Sequence, residues 1–361
     1  MIHSPPAPGI PSVLRIERHY TEQILSGKLT PGTLLPNSRE LARLWGTSAT
    51  TVQSAMRGLA AAGLVGRSQR SGTVVLDRRE RGVIGLIIGP SLSDETAHYQ
   101  RALCTALESR FNRYGLSTRI YDGVHPYSVS AAQEYHPLET FKLDQRYYEF
   151  KGLILLAIGK EEPAEIAESP LPKVRVGNAF RSDIIYDIDT LVREVLQRVE
   201  QEGRRKLAAF WFPGDLRGLK KAIDKAVAAG VGQDLAIEYV DTPLQKRGMH
   251  IEKDAFEAME ALVATWKADP TRQPDALLIM DDIVARAVSM SLLKNQIAVP
   301  EQMMMIVRAT TGIEHHYALP VIRYEFSSSD TAVHLEELLW KRIRGEEIPP
   351  LPVLQQGQLS A

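Results

Sequence analysis

Apolar residues in the amino-terminal part of the chain recur at helical spacing and are interrupted by turn signals. One apolar face runs from Val13 to Ile24 at intervals of three and four and stops before Gly27, which predicts a first helix. Asn37, with Glu40 at the reciprocal capping position, predicts the start of a second helix. That helix is expected to bury three apolar side chains, those of Leu41, Leu44 and Trp45.

A third helix is predicted from Ala49 to about Ala62, because Ser48 is a favourable N-cap and the apolar spacing continues until Gly63. Two short helices joined by a tight glycine-containing turn form a helix-turn-helix. After them, an apolar pair at 64–65 and a β-branched stretch at 73–76 flank polar residues, which predicts a β-hairpin of the kind called a wing.

Beyond residue 82 the pattern changes to short apolar segments that alternate with amphipathic ones. The predicted strands are Val83–Ile88, Leu116–Tyr121, Gly152–Ile158, Lys173–Val176, Leu207–Phe212, Leu235–Val240, Ala276–Met280 and Met303–Val307. The predicted helices are Ala97–Tyr114, Thr190–Gly203, Gly218–Ala229, Ala255–Lys267 and Ile283–Gln296. Such alternation is typical of an α/β fold with parallel sheets covered on both faces, and about 280 residues favour two lobes over one core.

Charge and pattern suggest the same division of the chain. We expect a flexible segment at 1–10, a winged helix at 11–76, a linker at 77–82 and a two-lobed domain at 83–361. Residues 11–81 hold eleven lysines and arginines against five acids, a surplus of six positive charges. The chain as a whole has a net charge of −1, so the rest of it has a net charge of −7. A basic head on an acidic body suits a protein of which only the head meets phosphate. An ordinary solvated surface is the alternative.

Composition and missing motifs narrow the function classes. The single cysteine, Cys104, excludes an internal disulfide and a cysteine zinc cluster, and its helical context predicts burial. No apolar run is long enough for a membrane span and no secretory signal is evident, so a cytoplasmic protein is expected. Phosphate-binding, dinucleotide-binding and nucleophile-elbow motifs are absent, so no enzyme and no cofactor are expected. The adjacent pair His315 and His316 is expected on a loop surface, without a metal.

The stretch ILSGKLTPGTLLPNSRELARLWGTSATTVQSAMRGLAAAGLVGRSQRSGTVV resembles the winged-helix domain of GntR-family transcription regulators. Its turn, its LP-x-x-R-x-LA helix, its TV-x-x-A helix and its wing come in the family order. The resemblance implies DNA contacts by Arg39, Ser48, Thr50, Thr51, Gln53, Arg57, Arg67, Gln69, Arg70 and Gly72. Ala49 and Gln53 replace two customary arginines, and Gln53 can pair with adenine, so a shifted base preference is expected. A head that does not bind DNA is the alternative.

The body is similar to the effector domain of LacI/GalR-type regulators, which is related to periplasmic sugar-binding proteins. The similarity is carried by PDALLIMDDIVARAVSMSLLKNQIAVPEQMMMIV, by the strand entry GRRKL and by RIRGEEIPP. A GntR head on this body resembles arabinose-repressor-like regulators. The resemblance implies effector contacts by Ser91, Tyr99, Arg217 and Asp282. Packing for Tyr99, a surface ion pair for Arg217 and an N-cap role for Asp282 are the alternatives.

Two segments depart from the body's family pattern. The stretch 307–312 replaces the usual V-G-F-D-D, and 123–150 is long and aromatic. Both fall near expected cleft walls, and the expected effector is a small polar metabolite such as a sugar or sugar derivative.

Together these features predict a ligand-responsive, DNA-binding transcription regulator that represses an operon for a carbohydrate or related metabolite. A homodimer would place two winged helices on double-stranded operator DNA, and an effector in the interlobe cleft would shift the dimer geometry. Two alternatives remain: a DNA-binding regulator without an effector, and a solute-binding body whose head does not bind DNA. Neither a metal nor a membrane partner is expected.

Overall fold

The computed structural model describes residues 12–61, 63–68, 72–76, 82–124, 137–159, 162–177, 182–211, 216–241, 251–313, 315–348 and 350–359. The chain forms two compact units. The first contains the described residues up to Gly85 together with Phe111–Arg119 and Glu139–Gly152. The second contains the described residues of 86–110, 120–138 and 153–361.

Three helices and a small sheet make up the amino-terminal part of the first unit. In chain order they are α1 Ser12–Leu25, β1 Leu34–Leu35, α2 Ser38–Trp45, α3 Ala49–Ala61, β2 Val65–Ser68 and β3 Gly72–Val75. Strand β3 lies between β1 and β2 and is antiparallel to both. One core joins the helices and the hairpin, and it includes Ile16, Tyr20, Trp45, Met56 and Val75. The predicted helix-turn-helix and wing are confirmed.

Local hydrogen bonds explain where α2 and α3 begin. Asn37 Oδ1 accepts from the amides of Arg39 and Glu40, both at 3.0 Å, and Glu40 Oε2 accepts from the Asn37 amide at 3.0 Å. This is the predicted capping box. Gly46 ends α2 at a φ of 57°, in the left-handed region that favours glycine, and Ser48 Oγ then accepts from the Thr51 amide at 3.0 Å to open α3.

Leu44 does not pack in the core, and the prediction that it does is wrong. Its exposed fraction is 47%, whereas Leu41 and Trp45 are at 1% and 2%. In a two-turn helix, Leu41 and Trp45 are four positions apart and form one stripe, from which Leu44 is rotated by about 100° relative to Trp45.

The rest of the chain alternates strands and helices. The strands are β4 Val83–Ile88, β5 Ser117–Tyr121, β6 Phe150–Leu156, β7 Lys173–Val176, β8 Ile184–Tyr186, β9 Lys206–Trp211, β10 Ala236–Asp241, β11 Ala276–Ile279, β12 Met304–Thr310, β13 Ile322–Phe326, β14 Val353–Gln355 and β15 Gln358–Leu359. The helices are α4 His98–Asn112, α5 Pro137–Asp144, α6 Ala164–Ala167, α7 Ile188–Gln201, α8 Leu216–Ala228, α9 Ile251–Ala268, α10 Asp282–Lys294 and α11 Ser328–Ile343.

These strands form two six-stranded sheets, in the orders β14-β8-β7-β6-β4-β5 and β10-β9-β11-β12-β13-β15. In the second sheet, β9 to β13 pair in parallel, and only β15 runs antiparallel to its neighbour β13. In the first, β6 pairs with β7, β7 with β8 and β8 with β14, all in parallel. The predicted α/β fold with parallel sheets is confirmed, and the last strands of the chain add one edge to each sheet.

Helices α9 and α10 cover the second sheet through one apolar core, which includes Met259, Trp266, Leu277, Val288 and Met305. Cys104 is buried in α4, as predicted, and burial raises the pKa of its thiol to about 12. Among the described residues, no helix combines the length and the apolar character that a membrane crossing requires.

Candidate DNA-binding surface and ligand site

Helix α3 divides cleanly into a buried face and a polar face. Val52, Ala55, Met56 and Leu59 are buried. On the other side Thr50, Gln53 and Arg57 are exposed. Arg57 Nη2 donates to Ser54 Oγ at 3.1 Å, which holds the guanidinium along the helix. A helix of this kind offers donors and acceptors to base edges and positive charge to phosphates.

The other predicted DNA contacts in the helices fall into two groups. Arg39 is exposed near the start of α2. The hydroxyls of Ser48 and Thr51 lie 2.8 Å apart, and Ser48 also accepts from the Thr51 amide, so both side chains fix the start of α3. Ser and Thr side chains and the N-termini of helices are among the groups that contact DNA phosphates.

The structure describes only part of the wing. Arg67 lies in β2, but its side chain, and the whole of Gln69 and Arg70, fall outside the described residues. Gly72 opens β3 at a φ of 82°, and a Cβ there would lie 3.3 Å from Leu34 Cδ1. Backbone geometry therefore requires this glycine.

A buried carboxylate in the second unit joins three segments that are far apart in the sequence. Asp282 is the first residue of α10, follows β11 and is 1% exposed. Its Oδ2 lies 3.1 Å from His98 Nε2, at the start of α4, and accepts from the Thr310 amide at 3.0 Å. Its Oδ1 accepts from the Tyr317 hydroxyl at 2.7 Å. The site therefore lies where strands end, as ligand sites of parallel sheets do.

Opposing effects act on this carboxylate. Burial alone would raise the pKa of Asp282, but the hydrogen bonds from His98 and Tyr317 and the charges of His98 and His315 outweigh it and hold that pKa below its ordinary value. Asp281, whose pKa burial raises, caps α10 by accepting from the amides of Ile283 and Val284 at 2.8 and 3.1 Å. The N-cap is therefore Asp281, and the alternative that Asp282 serves as the cap is wrong.

His315 belongs to the same cluster, so the expectation that it lies on a loop surface is wrong. Its side chain is 9% exposed, and its Nε2 is 3.8 Å from Asp282 Oδ2. The rings of His98 and His315 meet edge to face, with centroids 5.2 Å apart. Adjacent residues in an extended loop point in opposite directions, so His315 faces inward while His316 is exposed. Burial lowers the pKa of His315.

A second cluster combines aromatic rings with an arginine. The hydroxyl of Tyr99 lies 2.7 Å from Thr331 Oγ1, and its ring packs edge to face on Tyr186, with centroids 5.6 Å apart. The guanidinium of Arg308 lies 5.3 Å from the ring centre of Tyr186 and 5.1 Å from that of Phe326. Arg308 Nε is buried and has no hydrogen-bond partner among the residues that the structure describes. This donor is therefore unsatisfied within the described part of the chain.

The remaining predicted ligand residues are placed differently. Ser91 is buried and bonds to Asp122 Oδ2 at 3.2 Å and to Ser93 Oγ at 2.8 Å, which orders the loop after β4. Arg217 lies in α8, but its side chain is outside the described part of the chain. Sequence reasoning missed His98, His315, Tyr317 and Arg308. Each of them lies close to the carboxyl end of a strand or in the segment that follows that strand. This shared position is the signal that could have identified them.

The architecture is that of a winged helix joined to a periplasmic-binding-protein-like α/β domain, and comparisons with known proteins agree. Residues 13–75 match the family described as "Bacterial regulatory proteins, gntR family". The HTH-type transcriptional regulator Mce2R of Mycobacterium tuberculosis is 41% identical over 64 residues, which are 18% of this chain and 27% of that protein. The chain thus spans about a quarter of the length of the curated relatives it matches.

Solved structures resemble most of the chain in fold. The cellobiose complex of the transcriptional regulator CelR matches with a TM-score of 0.59 and 16% identity, over 91% of this chain and 99% of that one. A lactose complex of a LacI family transcriptional regulator from Arthrobacter sp. FB24 matches with a TM-score of 0.59 and 17% identity, over 78% of this chain and 98% of that one. The predicted resemblance to a GntR head on a LacI-like body is confirmed, and the matched proteins are transcription regulators.

Proposed function

We propose that this protein is a ligand-controlled transcription regulator with a winged helix for double-stranded operator DNA and an α/β domain for a sugar or sugar derivative. One observation carries the proposal. Helix α3 presents a polar surface to solvent within a winged helix, and the rest of the same chain has the fold of regulators that were solved with bound sugars. The domain limits remain those expected from the sequence, 11–76 and 83–361, and the protein acts on DNA in the cytoplasm.

The DNA interface follows from the polar side chains of the winged helix. Gln53 and Thr50, exposed in the first turns of α3, contact base edges in the major groove, and an amide side chain such as that of Gln53 suits adenine. Arg39 and Arg57 contact phosphates, which fixes the register of the helix without reading sequence. Ser48, Thr51 and Gly72 shape the backbone around these contacts. Further contacts by Arg67, Gln69 and Arg70 are proposed on the family resemblance alone.

The proposed effector contacts use groups that have hydrogen-bonding capacity left over. An ionised carboxylate can accept about four hydrogen bonds, and Asp282 Oδ1 receives one from Tyr317 among the described residues, so a ligand hydroxyl can add another. Arg308 Nε, held between Tyr186 and Phe326, suits an anionic group. This pairing favours a sugar derivative that carries a carboxylate or phosphate over a neutral sugar. Tyr99 supports the ring of Tyr186, and Ser91 orders the loop beside α4. Arg217 stays a proposed effector contact on the family resemblance alone.

Control requires that the effector bind one arrangement of the protein better than another, because a ligand with equal affinity for both shifts nothing. His98 and Asp282 begin helices that follow β4 and β11, strands of different sheets. A ligand that contacts both helix starts therefore depends on the relative position of the two sheets. In a homodimer that position sets the spacing of the two winged helices on the half-sites, so effector binding changes the affinity for the operator.

Fluorescence anisotropy tests both halves of the proposal. The full-length protein is titrated onto labelled duplex from its own upstream region and onto a shuffled duplex, at two salt concentrations. We expect tighter binding to the upstream duplex at both salts. We also expect that affinity to change on addition of one member of a panel of neutral sugars, sugar acids and sugar phosphates. Equal affinity for the two duplexes would overturn the DNA half. The effector half would be overturned if no compound of the panel changed either the affinity for the upstream duplex or the midpoint of the protein's thermal unfolding.

A further inference from the structure

Three metal-ligating side chains converge in the second unit, and no expectation from the sequence placed them together. One ligand atom from each of His98, Asp282 and His315 lies within 4.8 Å of the other two. His98 Nε2 and His315 Nε2 are 3.1 and 3.8 Å from the same carboxylate oxygen, Asp282 Oδ2. The three side chains are 11%, 1% and 9% exposed, so the cluster is largely shielded from solvent.

The spacing of these atoms fits a single ion. Zinc binds imidazole nitrogen and carboxylate oxygen at about 2.0–2.2 Å, so two of its ligands lie about 3.0 Å apart at a right angle and about 3.4 Å apart at a tetrahedral angle. The 3.1 Å separation of His98 Nε2 from Asp282 Oδ2 falls between these values, and the 3.8 Å separation of His315 Nε2 is longer than both. An ion would require movements of a few tenths of an ångström, well within the reach of two side chains on a loop and a helix start.

An unpartnered atom supports the same assignment independently of the spacing. His315 Nε2 is buried and has no hydrogen-bond partner among the described residues, because 3.8 Å to Asp282 exceeds hydrogen-bond distance. A buried polar atom without a partner is costly, and a metal ion at the centre of the cluster would satisfy it.

The carboxylate is already oriented as a metal ligand would be. The Thr310 amide donates to its Oδ2 at 3.0 Å and the Tyr317 hydroxyl donates to its Oδ1 at 2.7 Å, and neither donor is one of the candidate ligands. Hydrogen bonds of this kind fix the direction of a ligating carboxylate and sustain metal affinity.

We propose that His98, Asp282 and His315 bind a divalent transition-metal ion, with zinc as the ordinary occupant. Two imidazoles and one carboxylate favour zinc, cobalt or nickel over magnesium and calcium, which prefer oxygen ligands alone. Three protein ligands leave at least one position on the ion open, as in sites that take a water molecule or a substrate oxygen. The ion goes beyond the proposed function, since it can bind whether or not the protein binds DNA or sugar.

Cobalt titration of the chelator-treated full-length protein tests the site, with no DNA or sugar present. We expect one ion per chain with visible absorption bands, displacement by zinc, and a zinc dissociation constant below about 10 μM. His98→Gln and His315→Gln are each expected to weaken zinc binding by more than tenfold, because each removes one ligand. His316→Gln is the matched control, since it changes the neighbouring exposed histidine, and should leave binding unchanged.

Two further measurements keep the test decisive if a variant fails to fold. Tyr317→Phe retains all three ligands and removes only a bond to Asp282, so it should keep one zinc per chain with reduced affinity. X-ray absorption of the zinc-loaded wild-type protein should show two imidazole ligands. No binding in this range, binding that survives both ligand substitutions, or a zinc shell without imidazole would overturn the proposal. Each of these results leaves the DNA and sugar titrations unaffected, so the two proposals fail separately.

Discussion

Tyr317 and Asp282 are joined by a hydrogen bond of 2.7 Å that ties the segment after β12 to the first residue of α10. Burial and the adjacent carboxylate both raise the pKa of Tyr317, so the phenol keeps its proton throughout the physiological range and remains a donor. The bond thereby holds a loop, a helix start and a buried charge in one arrangement.

Replacement of Tyr317 by Phe should lower the free energy of unfolding by about 1.5–3 kcal/mol, because the lost bond is made to a buried charged group. Urea denaturation of the purified protein measures this change. Tyr147→Phe is the control, because Tyr147 is 44% exposed, and it should alter stability by less than about 0.5 kcal/mol. Equal effects of the two substitutions would show that the bond to Asp282 contributes nothing to stability.

Helical periodicity predicts burial for both Leu41 and Leu44, but only Leu41 packs in the core. Leu41→Ala should cost about 2–4 kcal/mol, because it leaves a cavity in the core of the winged helix. Leu44→Ala, at a 47% exposed position, should cost less than about 0.5 kcal/mol. Hydrogen exchange measured on peptides from 12–76 reports the stability of this region alone. Loss of protection in the Leu44 variant that matches the Leu41 variant would contradict the observed burial.

The local elements were predictable because their signals lie within one stretch of sequence. Asn37 and Glu40 are three residues apart, and their reciprocal hydrogen bonds follow from that spacing alone. Strands β8 and β13 were missed, because β8 has three residues and β13 carries Arg323 and Glu325. Their places in the sheets are set by long-range pairing with β7 and β12, which no local pattern encodes.

The candidate ligand site likewise depends on contacts between residues that are far apart in the sequence. Asp282 was predicted because its segment resembles a known family, but its partners His98 and Tyr317 lie 184 and 35 residues away in the chain. Sequence reasoning tested His315 only against its neighbours and found no ligand set. The shared position of these residues after strands of parallel sheets is the signal that would have joined them.

Cys104 should be unreactive in the folded protein. Burial, followed by the charges of Asp122 and Glu108, raises its pKa to about 12. At pH 8 only about one thiol in ten thousand would then be ionised, and the thiolate is the reactive form. A thiol-reactive chromogenic disulfide should therefore label the native protein slowly and label one thiol per chain at once in guanidinium chloride. Rapid labelling of the native protein would show that α4 opens or that the thiol is accessible.

Gln53 and Arg57 should affect DNA binding in different ways, although both are exposed on α3. Arg57→Ala should weaken binding to all sequences and reduce the slope of log affinity against log salt by about 1, because one phosphate contact is lost. Gln53→Ala should leave that slope unchanged but cost about 1–3 kcal/mol of discrimination at one base pair, because it removes a base-edge contact. Anisotropy titrations with single-base variants of the operator, at several salt concentrations, separate the two effects.

Arg18→Ala is a suitable control, since Arg18 is already paired with Glu22 at 3.1 Å on α1, and it should change neither quantity. A result in which Gln53→Ala alters the salt slope and Arg57→Ala alters base preference would reverse the roles given to the two side chains.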